Sequence, residues 1–236
     1  MSAQLAPVVR LLTVCTGNVC RSPYAALRLE SELNRVRPGR FVVTSAGTHA
    51  LVGAPVDSGS AKLLVAQGIS VSGFRGTRLT SEQVRGQDAV LVMTDEHREL
   101  VIEEAPFAFR KVRPIREWAH LLDVLRTHGS WPALLAEAGA GTGPAGRWRA
   151  LPDILAVQSR HIRRRRRDQH VTDPYGRPAK VFEAMRARQF YIYSHPRALG
   201  TVQTRMEDVV QGRNPTDPFK DKPELGLQLR AALRAK

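Results

Sequence analysis

The chain has 236 residues, 42% of them hydrophobic and 25% charged, with a net charge of +14; it can build one sizeable α/β core plus an appendage, and its surface favours anionic partners. It holds no run of 18 or more apolar residues, which excludes a membrane-spanning helix, and the apolar stretch near its start is broken by Arg10 with no basic region ahead of it, unlike a secretory signal. Its two cysteines, Cys15 and Cys20, share one loop, which excludes a disulfide framework; no His/Cys spacing suggests zinc, no metal or organic cofactor is expected, and the expected compartment is the cytoplasm.

In chain order, residues 8–14 form a short β-branched apolar run suited to a buried strand. Ser22 and Pro23 then open a helix to about residue 35, with Ser22 as N-cap and Pro23 at the first helical position. A second strand, 41–44, runs into Ser45-Ala46-Gly47-Thr48, and a helix over 57–67 closes at Gly68. Residues 88–94 read as a third buried strand, 95–104 as a third helix, 111–115 as a short fourth strand and 116–126 as a fourth helix. Strands alternating with helices predict a three-layer α/β sandwich around a central four-stranded parallel sheet, with the ligand site at the carboxyl end of a strand.

The pattern loosens between about 127 and 170. Residues 141–146 match GxGxxG but follow a helical stretch, contain Pro144 and lack an acidic ribose partner, so they read as a linker. A helix is expected at 152–158. The run Arg163–Arg167 has no interleaved aromatics and reads as a solvated basic stretch, so nucleic acid is not an expected partner. Another helix, about 179–189, follows the turn Asp173-Pro174-Tyr175-Gly176. Residues 1–188 are read as one domain and 189–236 as an appended segment; the sequence gives no indication of oligomeric state.

The segment Cys15-Thr16-Gly17-Asn18-Val19-Cys20-Arg21-Ser22 carries the chemistry. A cysteine and an arginine six positions apart, after a strand and before a helix, can bracket a loop whose backbone N–H groups of Thr16 through Cys20 surround a phosphate. Arg21 offers a planar fork to two phosphate oxygens, and the same positive field lowers the pKa of the Cys15 thiol, making it a nucleophile for phosphorus. Gly17 is expected to permit unusual backbone angles and Asn18 to take a left-handed one. Transfer to sulfur needs an acid for the leaving oxygen; Asp173, directed by the following Pro174, is the candidate. Ser22 is placed to steady the thiolate, and Cys20 to trap oxidised Cys15 as a disulfide.

CTGNVCRSP resembles the signature of the low-molecular-weight protein tyrosine phosphatases, a family that also includes arsenate reductases on the same scaffold. The likeness continues through Ser45–Thr48, Gly53–Asp57, Gly68-Ile69, Arg78–Thr80, Met93 and Asp173–Tyr175, covering about residues 8–185. The resemblance implies a phosphomonoester hydrolase working through a phosphocysteine, with Cys15, Arg21 and Asp173 catalytic. It also implies Asn18 and Ser45 in a hydrogen-bond network behind the loop, Tyr175 lining an aryl pocket, and a phosphorylated protein or small aryl phosphate as substrate. Arsenate reduction, or an inactive phosphate- or phosphopeptide-binding module, are the alternatives. Two departures from the family pattern stand out: Gly73-Phe74 occupies the place of a usual histidine, and Leu51-Val52 that of a usual tryptophan. The tail, from Gln189 through Phe219, resembles the C-terminal end of a short-chain dehydrogenase, but the Tyr-x-x-x-Lys pair of that chemistry is absent from the chain.

Overall fold

The structure, a computed structural model, describes residues 8–128, 131–137, 139, 144–158, 170, 171 and 173. Strand β1 is Val9–Cys15, followed by helix α1 at Arg21–Val36 and strand β2 at Phe41–Gly47. Helices α2 (Ser58–Val65) and α3 (Ser81–Arg85) lead to strand β3, Ala89–Val92. Helix α4 (Asp95–Glu104), a short 3-10 turn (Pro106–Ala108) and strand β4 (Val112–Pro114) come next, and helices α5 (Ile115–His128), α6 (Trp131–Glu137) and α7 (Pro144–Gln158) complete the described elements.

The four strands form one sheet in the order β2-β1-β3-β4, parallel throughout, with Leu12 opposite Thr44 on one side and Val90 on the other. The predicted sandwich is therefore present. Successive side chains of β1 point to opposite faces, so one strand serves two cores. Val9, Leu11 and Cys15 join Phe41, Val43 and Leu91 under α1, α5 and α7. Leu12 and Val14 join Ala46, Val90 and Val92 against Val84 of α3 and Val101 of α4. A third cluster, Tyr24, Val56, Leu64 and Ile69, fastens α2 to the outer side of α1. Since the chain crosses from β1 to β2 on one side and returns from β2 past β1 to β3 on the other, the winding reverses between β1 and β3, and the carboxyl end of β1 opens into the crevice at that switch point.

Sequence and structure part at several places. Helix α1 begins at Arg21, and its N-cap residue Cys20 makes no side-chain cap bond, so Ser22 lies inside the helix rather than capping it. The cap signal misplaced Ser22 because its hydroxyl is used across the loop (below), leaving the first amides of α1 without a side-chain partner at their cap. Asp57, read as the start of a helix, is the N-cap of α2, accepting from Gly59 N at 3.0 Å. Helix α3 was not anticipated, although Thr80 and Gln83 form a reciprocal capping box there.

In the stretch read as loose, α6 and α7 form, and α7 starts eight residues ahead of the predicted helix, so Pro144-Ala145-Gly146 belongs to a helix and not to a linker. Pro144 at the first position loses no hydrogen bond, whereas Pro152 inside the helix does. Burial offsets that loss: Trp148, Leu151, Ile154 and Leu155 of α7 are all in the core, Trp148 meeting Phe41 edge-on with ring centroids 5.4 Å apart. The basic run 163–167, Pro174, Tyr175, the helix expected at 179–189 and the dehydrogenase-like tail lie outside the described residues.

Candidate active site

The loop after β1 is held from outside by its carbonyls. Thr48 N donates to Cys15 O at 2.9 Å, His49 N to Thr16 O at 2.9 Å, Leu51 N to Gly17 O at 2.9 Å and Asp57 N to Val19 O at 2.8 Å. In a planar trans peptide the N–H points opposite to the preceding C=O, so these outward carbonyls turn the N–H groups of Thr16, Gly17, Asn18 and Cys20 toward the inner side of the loop. The left-handed residue of the loop is Asn18, at φ 53°, and not Gly17, whose φ is not positive and whose added Cβ would meet only the Val19 side chain, at 3.6 Å. The glycine that the site requires is Gly47 at the end of β2, where a Cβ would stand 2.5 Å from Thr16 O.

Behind the loop, Asn18 ties three segments together. Its Nδ2 donates to Ser22 Oγ at 2.9 Å and to Ser45 Oγ at 2.8 Å, while its Oδ1 accepts from Thr77 N at 2.8 Å. The Thr77 amide thus braces Asn18 from the 70s segment in a chain that lacks the family's histidine there. Ser22 Oγ lies 2.9 Å from Cys15 Sγ, and Thr13 Oγ1 donates to Ser22 O at 2.8 Å, fixing the first turn of α1 against β1. Both cysteines are free and buried. Burial, helped by Asp57, Asp173 and Cys15 and opposed by Arg21, pushes the Cys20 thiol up to about 12, so Cys20 keeps its proton at neutral pH.

Arg21, 4% exposed, reaches back along the loop to the segment that carries Asp173. Its Nη1 donates to Val171 O at 3.2 Å, and its Nη2 to Thr16 Oγ1 at 3.3 Å and to Asp173 Oδ2 at 2.5 Å. Its buried Nε has no partner among the described residues. The structure therefore brings Asp173 to Arg21 across 152 positions of sequence, with 43% of the Asp173 side chain still exposed. The segment carrying Asp173 is docked further: Val171 N donates to Met93 O at 2.9 Å, and His170 Nε2 lies 3.2 Å from Asp95 Oδ2 at the start of α4. Arg116 Nη1 also donates to His170 O, at 3.4 Å. At the rim, Leu51 and Val52 are 47% and 71% exposed.

His97, Thr94, His170 and Thr77 were missed by sequence reasoning. A legible signal existed for the first two: Thr94 follows the end of β3, next to β1, and caps α4 by accepting from His97 N at 3.4 Å.

Residues 10–127 match the family model for low molecular weight phosphotyrosine protein phosphatase. The low molecular weight protein-tyrosine-phosphatase Etp of Escherichia coli (strain K12) is 38% identical over 108 residues, 46% of this chain and 70% of that protein. The protein-arginine-phosphatase of Geobacillus stearothermophilus is 36% identical over 109 residues, again 46% of this chain and 70% of that one. The tyrosine phosphatase amsI of Erwinia amylovora superposes with a TM-score of 0.52 at 23% identity, over 88% of this chain and 96% of that one. Vibrio vulnificus Wzb, solved with benzylphosphonate, gives 0.51 at 22% over 83% and 97%; both likenesses speak to the fold. With the loop, the sheet order and the matched sequence agreeing, this chain belongs to the low molecular weight phosphotyrosine protein phosphatase family.

Proposed function

We propose that the phosphatase activity of this family is carried here by Cys15, Arg21 and Asp173, acting on phosphotyrosine-type monoesters in proteins or on small aryl phosphates. The observation that carries the reading is the loop whose Cys15, Thr16, Gly17 and Val19 carbonyls are engaged outward, closed at one end by Cys15 Sγ on Ser22 and at the other by the Arg21 guanidinium. The amides of Thr16 through Cys20 and the Arg21 fork bind the phosphate oxygens. Cys15 Sγ attacks phosphorus as a thiolate; the P–S bond forms, the P–O bond to the leaving group breaks, and Asp173 protonates the departing oxygen. In the second step Asp173 takes a proton from water, the oxygen attacks phosphorus, and the P–S bond breaks to release inorganic phosphate. Ser22 Oγ, 2.9 Å from Sγ, steadies the thiolate as it leaves. Asp173 rests on Arg21 in this structure, so incoming phosphate takes over the guanidinium and frees the carboxyl for the leaving oxygen.

Leu51 and Val52 supply an aliphatic rim to the aryl group, and Tyr175 its aromatic wall. The catalytic unit is assigned to residues 1–188, with 189–236 appended: the family match ends at 127, yet Val171 and Asp173 are bound to Arg21. A cytoplasmic location is supported by the two free cysteines. Among the described residues no helix is long and apolar enough to cross a membrane. The test is metal-free turnover of p-nitrophenyl phosphate by the full chain: Cys15→Ser is expected to lose about 10⁴-fold or more in rate, and undiminished activity in that variant would sink the mechanism.

A further inference from the structure

His97 is buried, 5% exposed, in the first turn of α4, and both of its ring nitrogens are engaged. Its Nε2 lies 2.9 Å from Thr16 Oγ1 and its Nδ1 lies 2.7 Å from Thr94 Oγ1. The direction of these bonds follows from the neighbours. Arg21 can only donate, so Thr16 Oγ1 accepts from Arg21 Nη2; the hydroxyl keeps both a lone pair and its proton for His97 Nε2, and the far side of the ring decides between them. The Thr94 hydroxyl gives its single proton to the Glu96 carboxylate, so toward the ring Thr94 Oγ1 accepts: the neutral imidazole carries its proton on Nδ1, and Nε2 accepts the Thr16 hydroxyl proton. That bond from Thr94, ahead of the Glu96 amide, holds the Glu96 carboxyl below the usual range. One ordered chain thus runs from Arg21 through Thr16, His97 and Thr94 to Glu96.

From this chain we propose that His97 is a positioning residue: by accepting the Thr16 hydroxyl proton it fixes Thr16 Oγ1 as an acceptor and so aims the Arg21 guanidinium at the bound phosphoryl group. The inference rests on the phosphatase reading above. A protonated imidazole could not accept from Thr16, so the arrangement needs a neutral ring. The surroundings keep it neutral: burial first, then Arg21 and, more weakly, His170 outweigh the opposing carboxylates of Glu96 and Asp173, and the His97 pKa falls to about 4.

Glutamine at position 97 can place an amide oxygen near the Nε2 position, whereas asparagine reaches only the Nδ1 position. The experiment is vanadate inhibition and p-nitrophenyl phosphate turnover for the full chain, His97→Gln and His97→Asn, with thermal melting as a folding control. His97→Asn is expected to bind vanadate about tenfold more weakly, the loss of one hydrogen bond serving a charged group, and His97→Gln to stay within about threefold of the parent. Parent-like vanadate affinity in His97→Asn, or equal losses in both variants, overturns the proposal. A second measurement needs no variant: imidazole ¹⁵N NMR of the parent protein should show the Nδ1–H tautomer from pH 5 to 8, and an Nε2–H tautomer or a titration near pH 6.5 overturns it as well. A parent protein with no turnover counts against the phosphatase reading itself, whereas an active parent with an indifferent His97→Asn counts against His97 alone.

Discussion

The nucleophile loop and the acid segment reach the same cleft by opposite routes. Cys15 and Arg21 come from one continuous strand–loop–helix, and four backbone bonds from residues 48–57 clamp the carbonyls between them. Asp173 arrives from far along the chain on a segment held by Val171, which is buried in the core and bound to Met93 and Arg21, by His170 on Asp95 and Arg116, and by its own carboxylate on Arg21. A phosphate cradle tolerates no play, because every donor must point at one ion throughout the reaction. On the proposed mechanism Asp173 must instead let go of Arg21 and turn to the leaving group, which its partly exposed side chain can do while the buried Val171 keeps the segment in place.

The largest way to separate the two regions is to disable the acid while leaving the cradle whole. Asp173→Asn should lower kcat for phenyl phosphate about 10²- to 10³-fold, much less for a good leaving group such as p-nitrophenolate, while inhibition by inorganic phosphate persists or tightens because Arg21 is released. A loss independent of leaving-group pKa would show that Asp173 is not the acid.

Next in size is an effect of acid on His97, which lies between the regions. Its folded pKa, about 4, is below the ordinary 6.5 of the unfolded chain, so the unfolded state takes up the proton first as pH falls. The corresponding stability is complete above pH 6.5 and is lost between there and about pH 4, on the order of 3 kcal/mol. Urea unfolding across that range should fall more steeply for the parent than for His97→Gln; parallel curves would contradict the assignment.

A smaller change addresses the cradle alone. Gly47→Ala drives a methyl against Thr16 O and should cost about 2 kcal/mol of stability, weakening phosphate inhibition without altering leaving-group sensitivity. Unchanged melting and phosphate inhibition would mean that β2 does not constrain the loop. The smallest effect concerns the acid's latch. His170→Ala removes the contact with Asp95, and kcat for phenyl phosphate should drop about fivefold, with phosphate inhibition untouched; equal losses in both would place His170 with the cradle instead.

The same contrast explains what could be read from sequence. The loop was legible because Cys15, Arg21 and the flanking strand and helix are neighbours in the chain, and α4 matched its predicted bounds because Thr94 and the acidic residues after it signal a helix start locally. Asp173 could be nominated by chemistry and resemblance, but its partner Arg21 lies 152 positions away, beyond any local pattern. His97 was passed over as one of several scattered histidines, since only the pairing of β3 beside β1 brings it to Thr16. Helix α7 was cut short because glycine and proline weigh against a helix locally, while the burial of Trp148 and Leu151 that overrides them is a tertiary effect.

The position of α7 also bears on how the protein comes into being. The strand that carries Cys15 is synthesised well before α7, yet one face of its core, at Val9 and Leu11, shares a cluster with Trp148, Leu151 and Leu155. On the ribosome, where chains emerge from the N-terminal end, that face stays uncovered until some 140 further residues have been made. A nascent chain ending at residue 127 would hold every segment of the family match and still lack both the helical cover and the acid. With Asp173 as the proposed acid, the complete site assembles only once synthesis is well past the loop that carries Cys15.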